Sequence, residues 1–182
     1  GHSLGMQALG FAPSNSKIQR VISVASGSGY YGWLPLPRRV ARYFLWRWLM
    51  PFSARLLGYF PGKRLGLLHN IPKRMAIEWS ALCCTPGYLR QTAQSAPEPN
   101  FARVTADMLV MSFVDDRIMP KLPIDDLHEN FANAKRERVH LSPCVLGIDK
   151  IGHLGAFRAL SKPLWLRWAK WLLDENPSYS NK

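Results

Sequence analysis

Acidic residues are scarce in this chain: 12 Asp and Glu stand against 24 Lys and Arg, a formal charge of +12 over 182 residues. Such an imbalance raises nucleic acid or anionic lipid as partners, unless an acidic companion segment cancels it. Cysteine is also sparse. Cys83, Cys84 and Cys144 form neither an even disulfide framework nor a paired metal-binding pattern, and adjacent cysteines seldom bond each other, so a reducing, cytoplasmic setting is expected. Long apolar runs are missing too. No stretch of about eighteen uncharged apolar residues occurs, so no transmembrane helix is expected. The most apolar stretch, Tyr43 to Leu49, is broken by Arg47 and followed by Pro51. The opening residues Gly1-His2-Ser3-Leu4-Gly5 carry no initiator Met, basic region or apolar region, so they are expected not to be a signal peptide and read as a chain cut into mid-motif. What is present, 47% apolar and 20% charged residues, is ordinary globular material able to bury a core.

Read along the chain, residues 1 to 14 suggest a glycine-rich turn and a short helix stopped by Pro13. Ile18 to Ala25 is a β-branched apolar run of strand length, ending in the small residues Ser26 to Gly29. Between Tyr30 and Asn100 aromatics crowd together and prolines recur, which reads as an inserted, mostly helical cap with Ser95 to Asn100 as its exit linker. Thr105 to Val114 is a near-continuous apolar run, the mark of a strand covered on both faces. Asp125 to Arg138 carries Leu127, Phe131 and Ala134 at helical spacing, and Val139 to Ile148 reads as another strand. Leu164, Trp165, Trp168, Trp171 and Leu172 form the apolar face of an amphipathic helix over 163–173, and a polar tail follows from Asn176. Strands alternating with helices imply an α/β class and a parallel sheet. Only three full strands are visible, so the fold is expected to be incomplete, with its first strand lacking a neighbour on one side.

Gly1-x-Ser3-x-Gly5 is the pattern that sets a serine on a strained strand-to-helix turn, with small neighbours for close backbone approach. The pattern alone is equally a glycine-rich loop before a helix. Chain order adds weight: an acid after a later strand and a histidine after the last strand complete such sites in the order Ser, Asp, His. Asp116 ends the apolar run at Phe113-Val114 and opens a sharp loop to Pro120. His153 lies among small residues in Ile151-Gly152-His153-Leu154-Gly155. A serine is barely nucleophilic alone and needs a base in contact, with an acid to fix the base's tautomer. Asp115 competes with Asp116 for the acid role; its own reading is to cap or orient the loop. A helix-capping aspartate and a satisfied surface histidine are commoner for any one residue taken singly, but three independent elements at the right strand ends in the right order outweigh them.

Gly1 to Gln7, Ala25 to Tyr31, Gly58 to Gly62, Glu78-Trp79, Val114 to Arg117 and Ile151 to Gly155 together resemble α/β hydrolases of the serine aminopeptidase and lysophospholipase-like branch, over nearly the whole chain. The resemblance implies the C-terminal half of an α/β-hydrolase fold: a parallel sheet flanked by helices with a helical cap insertion. It divides the chain into 1–29 (elbow, helix and strand), 30–100 (cap) and 101–182 (core with the acid and the histidine). It further implies Ser3 as nucleophile, His153 as general base, Asp116 as acid, and the amide of Leu4 as the one assignable donor to an oxyanion; the loop that gives the second donor in such enzymes and the strands before the elbow are missing, so this chain alone is expected to be a poor or inactive enzyme. The substrate implied is an ester, thioester or lipid-like acyl compound, with no cofactor and no metal. A non-catalytic scaffold of the same fold and an acyltransferase are the alternatives. The cap is expected over the strand ends that carry the site.

Tyr30, Tyr31, Trp33, Tyr43, Phe44, Trp46 and Trp48 with Arg38, Arg39, Arg42 and Arg47 suit either an aromatic, basic surface for lipid headgroups or nucleic acid, or cap packing with a solvated basic face. The second reading is preferred, so no nucleic acid is expected and peripheral membrane contact stays open. His69, His128 and His140 lack metal-ligand spacing with the cysteines and read as structural or surface residues. With its elbow side unsupported, the isolated chain is expected to aggregate or pair through an exposed strand edge.

Overall fold

A computed structural model describes residues 1–67, 69–90 and 99–173, the side chain of Arg90 excepted. The linker expected at 95–100 lies outside the described residues up to 98, and the polar tail lies wholly outside them. In chain order the elements are α1 (Gly5–Phe11), β1 (Arg20–Val24), α2 (Leu36–Phe44), α3 (Met50–Leu57), β2 (Tyr59–Phe60), β3 (Ile71–Pro72), α4 (Lys73–Cys83), β4 (Asp107–Phe113), α5 (Lys121–His128), β5 (Lys135–Leu141) and α6 (Lys162–Leu172). They fall into two compact units, Gly1–Gly27 with Glu98–Lys182, and the inserted Ser28–Pro97.

The first unit is a parallel sheet in the order β1-β4-β5. β4 is central, and Met108 to Phe113 are all buried, as a strand covered on both faces requires. Successive side chains alternate between the faces. Leu109, Met111 and Phe113 join Val24, Leu141, Leu164 and Trp171 in one core cluster under α6. Ser23 of β1 points to the other face, where its hydroxyl meets Nε2 of the buried His128 on α5 at 2.8 Å. Burial holds this histidine down to a pKa of about 4, so it stays neutral and donates from Nδ1 to the Ile124 carbonyl at 2.7 Å.

Two expectations fail here. The helical pattern over 125–138 breaks at His128, and 135–141 is strand. Asn130 supplies the reason, because its side-chain amide donates to the carbonyls of Leu127 at 2.8 Å and Asp126 at 3.3 Å, satisfying the helix end in place of another turn. Phe131 is still fully buried, from a turn instead of a helix. The expected strand over 139–148 ends at Leu141 and gives way to a 3₁₀ turn at Pro143–Leu146. Lys135 to Arg138 then form the first half of β5, whose charged side chains suit an outer strand. On α6, Leu164 and Trp171 are buried, and Trp168 packs on them from one turn between. Trp165 and Leu172 stay partly exposed, so the apolar face is narrower than the five-residue reading.

The inserted unit is helical. α2 runs through a π turn at Leu45–Leu49 into α3, and the Met50 amide reaches back five residues to the Leu45 carbonyl. Pro51 explains the wide turn: it has no N–H to donate to Arg47, and its ring would collide with that carbonyl in an ordinary helix. Gly58, at φ 79°, ends α3 in the left-handed region. The antiparallel pair β2-β3 then returns the chain to α4. Trp46 and Trp79 meet with ring centroids 5.1 Å apart, and the Trp79 indole donates to the Tyr88 hydroxyl at 3.0 Å.

Candidate active site

The elbow forms where the chain passes the end of β1. Gly1 to Ser3 lie alongside Val24, which donates to the Gly1 carbonyl at 2.8 Å and accepts from the Ser3 amide at 3.3 Å. Ser3 then takes φ 53°, a left-handed conformation unusual for a residue with a Cβ. A Cβ on Gly1 would come within 3.2 Å of the Met6 amide nitrogen, a tight approach that glycine avoids; one on Gly5 would meet open space. The close approach expected of both flanking glycines therefore holds for the first.

What holds Ser3 in this shape is Ser26, fully buried just beyond β1. Its hydroxyl donates to the Ser3 carbonyl and accepts the Met6 amide at 3.2 Å, capping the first turn of α1 from a distant strand end. Gln7 ties the same turn to the Gly27 carbonyl at 2.8 Å. The Leu4 amide, next after the serine, makes no hydrogen bond among the described residues.

Asp116 sits past the end of β4, and its buried carboxylate is aimed by its own loop. Oδ1 accepts from the amides of Ile118 at 2.8 Å and Met119 at 3.0 Å, leaving Oδ2 to accept from Nδ1 of His153 at 2.8 Å. Nε2 of His153 lies 3.2 Å from Oγ of Ser3. Three side chains from three strand-end loops, up to 150 positions apart in sequence, thus share one line of hydrogen bonds.

Asp115 takes no part in that line. Its Oδ2 accepts from the amides of Ile151 and Gly152, both at 2.9 Å, just before His153. His2 grips the same loop from the other side: Nε2 donates to the His153 carbonyl at 2.9 Å, with ring centroids 4.8 Å apart. Burial lowers the His2 pKa, favouring the neutral ring with its proton on Nε2. The residues just before Ser3 and Asp116 therefore hold the loop of the third. The sequence marked Asp115 as an orienting group; His2 and Ser26 went unmarked, although the place of His2 inside the serine motif was a usable signal.

His128 and His140 serve the sheet. His140 Nδ1 meets the buried Ser112 hydroxyl at 2.6 Å, and among the described residues no group of His, Cys, Asp and Glu could hold a metal. Cys83, Cys84 and Cys144 are free thiols, and burial pushes that of Cys83 upward. No described helix is long and apolar enough to cross a membrane.

No family model matches the sequence, and no curated protein matches it. Solved structures do. Alpha/beta hydrolase domain-containing protein 10 from mouse superposes with a TM-score of 0.52 at 17% identity over 96% of this chain. A monoacylglycerol lipase from Paleococcus ferrophilus superposes with a TM-score of 0.49 at 13% identity over 97% of it. This chain spans 60% of the mouse protein and 67% of the lipase. The parallel sheet flanked by helices, with its helical insertion, is the α/β-hydrolase fold.

Proposed function

We propose that this protein is a serine hydrolase acting on acyl substrates through a Ser3-His153-Asp116 triad, akin to the serine aminopeptidase and lysophospholipase-like branch. The observation that carries the reading is the unbroken run from Ser3 Oγ through both ring nitrogens of His153 to Asp116 Oδ2, at 3.2 and 2.8 Å. Asp116 holds the imidazole with its proton on Nδ1, so Nε2 is free to accept. Ser3 attacks the acyl carbonyl as its proton passes to Nε2, and the Leu4 amide donates to the oxyanion that forms. His153 then gives the proton to the leaving group, and an acyl-enzyme remains on Ser3. Water, deprotonated by His153, attacks that ester and restores the hydroxyl.

The proposed substrate is an ester, thioester or lipid-like acyl compound, in keeping with the aromatic and apolar composition of the inserted residues. Three free thiols favour a reducing compartment, and the cytoplasm is the proposed location. The test is hydrolysis of a short-chain activated ester by the native protein. Ser3→Ala should lower kcat by about 10⁶, as loss of the nucleophile does in other triad enzymes. Equal turnover by Ser3→Ala and the native protein would refute the reading.

A further inference from the structure

The longest helical run of the inserted unit shows its apolar side to solvent. Leu36, Val40, Phe44, Trp48, Phe52 and Leu56 recur every four residues through α2, the π turn and α3, and each is between 49% and 72% exposed. A four-residue repeat drifts round an ordinary helix by about 40° per step. The wider π turn takes part of that drift back, which keeps the repeat together as a stripe. None of the six is among the buried residues of this run, which are Leu45, Trp46, Met50, Pro51 and Ala54. Large apolar side chains gathered in one exposed patch mark a surface made for contact.

Charge identifies what it contacts. Arg38, Arg39, Arg42, Arg47 and Arg55 are interleaved with the stripe residues along the same helical run, and the first acidic residue of the whole chain is Glu78. Glu78 is itself occupied by Arg74 at 2.8 Å. Among the described residues none of the five arginines has an ion-pair partner, while Arg42 and Arg47 lie over the rings of Trp46 and Trp48 at 5.9 and 5.0 Å. A second copy of the chain would bring like charge against like charge. A phosphate backbone would leave Leu36, Val40 and Leu56 with nothing to bury them. An anionic bilayer surface satisfies both halves, because acyl chains take the apolar stripe and headgroups take the guanidinium groups.

We propose that the α2-π-α3 helix is a peripheral membrane-docking surface that lies in the interface of anionic lipid. The tryptophan at its middle, Trp48, enters the acyl boundary, and the arginines remain at headgroup level. This inference stands apart from the chemistry of Ser3, since binding needs neither the triad nor a substrate.

The test is co-sedimentation of the native protein with vesicles of phosphatidylcholine alone or with about 30% phosphatidylserine, in about 0.1 M salt. The anionic vesicles should bind at least about tenfold more tightly, with a blue shift of tryptophan emission, and binding should weaken as salt is raised. The double variant Phe44→Asp, Phe52→Asp should lose that binding by about tenfold or more. Both positions are exposed, so its circular dichroism and melting temperature should match the native protein, and Ser3→Ala should bind as the native protein does. Equal binding to both vesicle types, undiminished binding by the double variant, or a self-associated native protein that the double variant splits to monomers would each overturn the proposal.

Discussion

The strand-end loops of the sheet unit and the helices of the inserted unit treat their polar and apolar groups in opposite ways. Around Ser3, each loop is tied by side chains reaching backbone groups far away in sequence: Ser26 to the Ser3 carbonyl, Asp115 to the amides of Ile151 and Gly152, and His2 to the His153 carbonyl. Along α2 no residue is buried, and the apolar side chains meet solvent. Satisfied buried hydrogen bonds fix groups to a fraction of an ångström, which chemistry between three side chains requires. An exposed apolar stripe on a run whose arginines have no ion-pair partner among the described residues is free to meet a partner. The strand ends therefore hold their groups in fixed geometry, whereas the insertion leaves apolar side chains exposed.

The sheet unit's dependence on buried polar contacts gives the largest expected effect. His128 ionises at about 4 when folded, against 6.5 as an ordinary histidine. Above pH 6.5 both states are neutral and the residue adds no pH dependence. As the pH falls below that, the unfolded chain takes up a proton that the folded one refuses, so stability drops and levels off below about pH 4. The full loss is about 3 kcal/mol. Urea melts between pH 7 and 4 should show it, and His128→Asn should flatten that part of the curve while lowering stability at neutral pH. An unchanged slope in the variant would show that other groups set the acid response.

A smaller effect is expected from the clamp on the His153 loop. His2→Phe keeps the ring contact but removes the donor to the His153 carbonyl, and should lower kcat about tenfold with little change in KM, as loss of positioning does. His2→Gln, which can donate again, should restore part of it. Asp115→Asn keeps an acceptor for the amides of Ile151 and Gly152 and should be mild, whereas Asp115→Ala should resemble His2→Phe. Equal, native-like kcat in all four would make these contacts structural decoration and blur the contrast between the two regions.

The parts of the fold that were legible in the sequence are those with a local signature. β1 and β4 are runs of β-branched and apolar residues, and Ser3, Asp116 and His153 stand beside glycines or at the ends of such runs; the structure brings the three side chains together. β5 was misread because Lys135 to Arg138 look like the solvent face of a helix, and only pairing with β4 in a seven-residue register makes them a strand. The role of Ser26 leaves no local trace, since its partner lies 23 positions away, and that of His2 is hinted at only by its place inside the serine motif, its partner lying 151 positions away. Composition alone does not say which residues of the aromatic, basic segment face outward. Preference went to a solvated basic face with packed aromatics, whereas Phe44 and Trp48 prove exposed while Trp46 is buried.

The most direct measurement is the rate at which a fluorophosphonate probe modifies the native protein, with the modified peptide mapped by mass spectrometry. The account predicts a single adduct on Ser3, absent in Ser3→Ala, and formed at least about a hundredfold more slowly in His153→Ala and Asp116→Asn, because the serine loses its base or the base its tautomer. Rapid labelling of another serine, or of Ser3 at an unchanged rate without His153, would contradict it.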